Sequence, residues 1–455
     1  MVARFAAVPG TAGAAAGIQA GMQTTLHTNI QTDIQTTIQT TSQTTLQADP
    51  APVLLSPAFA ALVLALLMGL QPVTTDLMLP ALPALATDLH APMAPVQLTM
   101  AALILAFGLA QLVWGPVADR VGRRPVLLTG LALYVLASVG AALAGHVLAL
   151  VGWRALQGAA MSSAVVCARA MVRDLYAPRE GAMVMARALT GLGGLAIASP
   201  VIGGALVAGF GWRASVVAMG VAGAALAVFI ATRLPETARF RTPGATQLRP
   251  LARQTMATLR HPAFRAWTAL VACSYGGLFI FLAGSGFVLI GVLGLAPGWA
   301  GLVMSSCSLA YISGTLLCRR WIPSLGLTGT VARGAGFSAA ACLALLLLAA
   351  TDARSVIAVM APVWLYALGH GVHMPCGQAG AVGPFPRAAG LASALAGFVT
   401  AAVAFGVGLW LGQSLNGTVR PFALAMATAA GLTALVAWTL VQRDGNRLQA
   451  EPAAA

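Results

Sequence analysis

Two side chains sit where charge is costly. Asp76 is the only acidic residue inside any of the long apolar runs of this chain, and Arg154 lies about eight residues into another. Ionisable groups inside apolar helices are rare, face the protein interior and mark ion or substrate pathways. The chemistry they could support is proton exchange. A carboxylate beside a guanidinium is held ionised, and it gains proton affinity when the contact is lost. Two roles stay open for each: Asp76 as an exchanging acid or a fixed charge at an outer gate, and Arg154 as its partner or a side chain reaching for the outer surface.

These residues need helices to hold them. The chain has 455 residues, 59% hydrophobic and only 8% charged. Soluble domains carry roughly 25% charged residues, so lipid must be the solvent for most of this one. From Pro52 onward there are twelve apolar runs of spanning length: 53–79, 96–117, 125–144, 146–168, 184–209, 212–232, 266–292, 297–318, 329–350, 354–377, 388–412 and 419–441. Each meets the requirement of about 20 apolar residues. The long Arg-rich stretch 233–265 divides them into six and six. The expected organisation is a low-complexity extension at 1–52, a first bundle at 53–232, a central cytoplasmic loop at 233–265, a second bundle at 266–441 and a tail at 442–455. The extension carries a period-four repeat rich in Gln and Thr from Gln23 to Leu46, which is expected to be disordered.

Charge placement fixes orientation. All 25 basic residues are Arg, against 11 acidic ones. With both termini inside, only Arg213, Arg354 and Arg420 fall outside and Arg154 within a span; the other 21 collect on the inner side. That is the positive-inside pattern, and it accounts for the net charge of +14 without nucleic acid as a partner. The absence of Lys excludes a phosphate-binding P-loop and Schiff-base chemistry. The six Cys are scattered through apolar runs and read as small hydrophobes, with no metal site or cofactor implied.

The segment Gly115–Pro125, GPVADRVGRRP, joins the second and third spans. Gly115 is expected to admit a neighbouring helix closely. Asp119 is expected to pair with Arg123 and to face a helix N-terminus; Gly122 permits the turn, and Pro125 opens the third span. This segment resembles the G-x-x-x-D-R-x-G-R-R/K motif of major facilitator transporters. Arg154 opens an R-x-x-Q-G match in the fourth span, Ser199–Gly204 (SPVIGG) resembles the G-P-x-x-G-G motif of drug/proton antiporters, and Asp76 stands in D-x-x-L-P-A-L-P. With Trp212–Ala214, the LPET at Leu234–Thr237 and GSGFVLIGVLGLAP in the seventh span, the chain is similar to the bicyclomycin-resistance and chloramphenicol-efflux (Bcr/CflA) family. Cys376 in MPCGQAG departs from the polar Asn common in that family.

The resemblance implies an all-α membrane protein of twelve transmembrane helices in two pseudo-symmetric six-helix halves, the major facilitator fold. It implies a monomeric multi-pass protein of the bacterial inner membrane that exchanges protons for an amphipathic drug, not an enzyme. A natural metabolite (amino acid, sugar or organic acid) is the alternative cargo. It assigns proton coupling to Asp76 and Arg154 and a conformational latch to Gly115, Asp119, Arg120, Gly122, Arg123 and Arg124, closing against the second half. The antiporter motif falls on Pro200, Gly203 and Gly204. Polar and aromatic residues expected to face a central cavity are Gln71, Thr74, Gln111, Gln157, Tyr275 and Phe279, with several seventh-span aromatics expected to face lipid. His370 and His373, three apart on one helical face, read as a packed polar pair or a second proton site.

Overall fold

The computed structural model describes residues 55–176, 178–238, 248–385 and 388–445. The N-terminal repeat and most of the tail lie outside them.

The first span starts at a cap encoded in sequence. Ser56 Oγ accepts from the Phe59 amide at 3.3 Å, and Pro57 fills the first helical turn, where its missing N–H costs nothing. His146 and Ser355 cap the fourth and tenth spans in the same way. Eleven helices among the described residues are long and apolar enough to cross a membrane: Pro57–Asp88, Met93–Val121, Arg123–Ala142, Val147–Leu175, Met183–Phe210, Trp212–Arg233, Pro262–Val292, Pro297–Thr351, Val356–Val382, Ala389–Ser414 and Arg420–Asp444. The Pro297–Thr351 helix has 55 residues. At 1.5 Å per residue that is about 80 Å, more than twice the roughly 30 Å of a bilayer core. It turns at Gly326, whose φ of 64° breaks the helical path, so it supplies both the eighth and the ninth span. The loop expected at 319–328 is helical on either side of this one residue. A second difference lies in the central stretch, where Leu248–Arg260 forms a helix that touches the seventh and eleventh spans.

The two halves repeat one packing plan. In the first, the second span packs on the fourth, the first on the fifth, and the third on the sixth. In the second half the seventh packs on the eleventh. Gly314 of the eighth span meets the Leu368 carbonyl of the tenth, and Gly431 of the twelfth meets Cys342 of the ninth at 3.3 Å, as measured from an added Cβ. Across the halves the second span packs on the eleventh and the fifth on the eighth, a pair of contacts that the same pseudo-symmetry exchanges. Large apolar side chains stay exposed on the outer faces, among them Leu62, Val113, Leu136, Val221, Leu343 and Leu347. Their number exceeds what a water-soluble surface tolerates; they face lipid.

The seventh span differs from expectation. Phe279, Phe281 and Phe287 are all buried in protein, and none faces lipid. The cause is its position: the tenth, eleventh and twelfth spans and the end of the first surround it.

Candidate functional site

At the end opposite the Arg-rich loops the halves are sealed by backbone contact. Pro200 has no amide, so the Ala196 carbonyl loses its helical partner. Two hydroxyls from the eighth span fill the gap: Ser308 Oγ donates to Ala196 O at 3.4 Å and Ser305 Oγ to Ile197 O at 2.8 Å. A Cβ on Gly203 would strike the Leu77 carbonyl, and one on Gly204 would lie 2.5 Å from the Pro297 carbonyl. Gln97 Nε2 donates to Ala283 O at 2.7 Å, tying the second span to the seventh. The expected tight packing by Pro200, Gly203 and Gly204 is therefore present, and it joins the fifth span to both the first and the eighth.

A cavity of about 150 Å³ lies between the halves, from mid-chain positions of the spans toward the Arg-rich end. Gln71, Gln111 and Tyr275 line it, as the sequence suggested, with Arg169, Gln378, Ser393 and Thr400 adding polar groups and Ile104, Phe107, Val271 and Met374 apolar wall. Thr74, Gln157 and Phe279 are not in that lining. Thr74 Oγ1 shares a 2.6 Å hydrogen bond with Tyr134 Oη. Gln157 donates to Ser138 at 2.7 Å. Phe279 is enclosed between the second and eleventh spans near Gly408. All three point into their own packing layers, a matter of helix rotation.

Arg154 is fully buried. Its Nη1 donates to Gln157 Oε1 at 2.6 Å and its Nη2 to the Thr74 carbonyl at 3.1 Å, with the sulfurs of Met100 and Met219 at 3.3 and 3.6 Å. Its Nε has no partner. The carboxylate of Asp76 accepts from Thr75 Oγ1 at 2.6 Å and lies close to Tyr275 of the second half. No ion pair joins Asp76 to Arg154 among the described residues. The expected pair is thus open in this conformation: the guanidinium holds a backbone carbonyl two residues short of the acid.

The loop after the second span is an ionic cluster. Arg123 reaches Asp119 at 2.7 Å and Asp174 at 2.8 Å. Glu236 accepts from the amides of Arg123 and Arg124 at 2.9 and 3.2 Å, so a carboxylate sits on the N-terminus of the third span, where the helix dipole favours it. Asp119 was expected there; Glu236 occupies the place instead. Gly122, at φ 115°, brings its backbone so near Glu236 that a Cβ would lie 2.5 Å from Oε2. Asp119, Arg123 and Arg124 find these partners, and Arg124 the Ala231 carbonyl at 2.7 Å, all within the first half. The expected closure of this cluster against the second half is absent from these contacts; at this end the halves meet instead through Arg169 Nη1 and Ser393 Oγ, at 2.9 Å. Gly115 makes no close approach here: an added Cβ meets nothing within 4 Å. The contacts of Asp174 and Glu236 with Arg123 escaped the sequence reading because no local spacing ties them to it.

His370 Nδ1 bonds Ser274 Oγ at 2.8 Å, and His373 is fully buried. Neither lines the cavity. Cys376 lies 3.4 Å from Cys318, sulfur to sulfur, in the interior of the second half.

Two pseudo-symmetric six-helix units around a shared cavity define a polytopic membrane transporter. The chain belongs to the Major Facilitator Superfamily, whose family model matches residues 58–409. It is a transporter and not an enzyme. It is 29% identical over 321 residues to a chloramphenicol resistance protein of Pseudomonas aeruginosa, covering 70% of this chain and 75% of that protein. It is 30% identical to multidrug resistance protein D of Escherichia coli, covering 74% and 84%. To a bicyclomycin resistance protein homolog of Haemophilus influenzae it is 24% identical, covering 84% and 96%. These relatives carry the resistance names that the resemblance to the Bcr/CflA branch led us to expect. A solved D-xylose–proton symporter superposes with a TM-score of 0.68 at 18% identity, covering 85% of this chain and 98% of that one; this likeness concerns the fold alone.

Proposed function

We propose that the chain exports amphipathic antibiotics of the chloramphenicol or bicyclomycin kind across a bacterial inner membrane in exchange for protons, as a monomer with both termini in the cytosol. The observation that carries this reading is the cavity between the halves, lined by residues of both and lying on the Arg-rich side of the backbone seal at Pro200–Gly204. Its mixture of apolar wall and neutral amides and hydroxyls suits an amphipathic cargo.

In this reading the structure is the drug-loading state. Asp76 takes up a proton when the cavity faces outward; in the present state, with Asp76 bonded by Thr75 beside Tyr275 and Arg154 on the Thr74 carbonyl, that proton leaves to the cytosol as drug binds. The drug-loaded halves then reorient around the midplane site. Proton and drug then occupy different states, which is the condition for coupling. The latch cluster at Asp119 and Arg123 closes the cytosolic side when the cavity faces outward. The test is a resistance profile in a pump-deficient bacterial host. Raised tolerance to chloramphenicol or bicyclomycin that is lost with Asp76→Asn, at equal protein level, supports the reading. Unchanged tolerance across chloramphenicol-like, bicyclomycin-like, sulfonamide and lipophilic-cation compounds refutes it.

A further inference from the structure

Arg169 is the one charged side chain lining the cavity among the described residues. It sits in the fourth span, one turn and a half before the span ends. Among the described residues its only hydrogen bond is from Nη1 to Ser393 Oγ of the eleventh span, at 2.9 Å, and no carboxylate there pairs with it. The nearby Asp174 is taken by Arg123. A guanidinium carries five N–H donors in a planar fork matched to carboxylates, and one bond to a hydroxyl leaves most of them unused. The other polar groups near it (Gln71, Gln111, Gln378 and Thr400) are neutral.

A half-buried cation with no counter-charge, facing a cavity shared by both halves, is costly unless an anion visits it. Arg123 is matched by two carboxylates and Arg213 by Asp88; Arg154 also has no carboxylate, but it is bonded to Gln157 and the Thr74 carbonyl inside its own bundle and does not line the cavity. We propose that Arg169 and Ser393 form an anion-reading pair, so that the preferred cargo is an amphipathic organic anion bearing a carboxylate or a group of like charge, and lipophilic cations are rejected. The anion displaces the Ser393 hydroxyl from Nη1 and takes a forked contact, while Ser393 turns to donate to it. Because the two residues belong to opposite halves, the cargo replaces their contact and bridges fourth and eleventh spans. This rests on the export reading above.

The test uses one scaffold in two charge states, chloramphenicol and its hemisuccinate ester, with purified full-length protein in proteoliposomes under a fixed pH gradient. The quantity read is the ratio of ester transport to parent transport. For Arg169→Gln the ratio is expected to fall by about tenfold or more, which is the scale of one lost charge-assisted contact; for Arg169→Lys it recovers in large part. Ser393→Ala lowers the ratio by a smaller factor. With the potential clamped 100 mV negative inside the donor compartment, the wild-type ester gradient exceeds the parent's by about 50-fold, the Boltzmann weight of one extra charge. A ratio unmoved by Arg169→Gln, or an ester gradient indifferent to potential, overturns the proposal. So does a wild type that moves the parent but not the ester, and that result leaves the export reading standing. A wild type that moves neither compound overturns the export reading itself.

Discussion

Adding one methyl group at Gly204 should tilt the balance between the two conformations. The Cβ would lie 2.5 Å from the Pro297 carbonyl and 3.1 Å from Gly298 Cα. Both are backbone atoms of the other half, so no side chain can swing away. An ordinary Cβ contact begins near 3.4 Å, and the fifth and eighth spans must therefore separate by most of an ångström. Overpacking of this kind costs about 1–3 kcal/mol. It arises only in the state sealed at this end, since the contact is between halves that part when the cavity reverses. The ratio of sealed to open molecules should then fall by about 5- to 150-fold. Gly209→Ala is the control: it lies in the same helix, and its Cβ would meet nothing within 4 Å. Spin labels on exposed Leu143 and Ile357, which end and begin spans at the sealed side in opposite halves, report the change by pulsed distance measurements. A longer distance population in Gly204→Ala, absent in Gly209→Ala, is expected. Identical distributions in both variants would refute the argument that these glycines set the seal.

Three more outcomes follow from the geometry. Gly122→Ala should destabilise the purified protein by about 1–3 kcal/mol, since φ 115° is strained for any side chain and Glu236 Oε2 is in the way; a shortfall in melting temperature against wild type checks it. Arg123→Gln should cost about 2–4 kcal/mol, toward the lower end because Asp119 is half exposed, and adding Asp174→Asn should recover part of that loss in a double-mutant cycle. Tyr134→Phe should cost about 1 kcal/mol by removing the hydroxyl bonded to Thr74 Oγ1, which keeps its bond to the Leu70 carbonyl, with Arg154 as a neighbour near enough for a change in transport rate to accompany the loss of stability.

Much of the fold was legible in the sequence because a bilayer imposes length and charge rules on every span. Apolar runs and Arg placement were enough to count helices and to divide them into two halves, and Pro200, Gly203 and Gly204 announced their own tight packing. Cavity lining was harder. Gln71, Gln111 and Tyr275 were found, while Thr74, one turn from Gln71, and Gln157 of the fourth span turned out to serve Tyr134, Ser138 and Arg154. These helices are apolar nearly all round, so periodicity does not reveal which face meets the cavity. Arg169 was absorbed into the inner Arg cluster, since its distinction is the lack of an acidic partner in space. Glu236 was read as part of a family pattern, and its seat on the N-terminus of the third span depends on the chain folding back across a separation of 112 or 113 residues. The Asp76–Arg154 contact was inferred from depth alone, and depth does not fix which state of a moving protein holds it.

The central claim is that export is bought with protons at Asp76. The most direct measurement is drug movement in proteoliposomes with an imposed pH gradient, wild type against Asp76→Asn. Uphill drug flux that collapses with an uncoupler, and in Asp76→Asn survives only as downhill exchange, is the predicted result. Uphill flux that persists in that variant, or that ignores the uncoupler, would contradict the account.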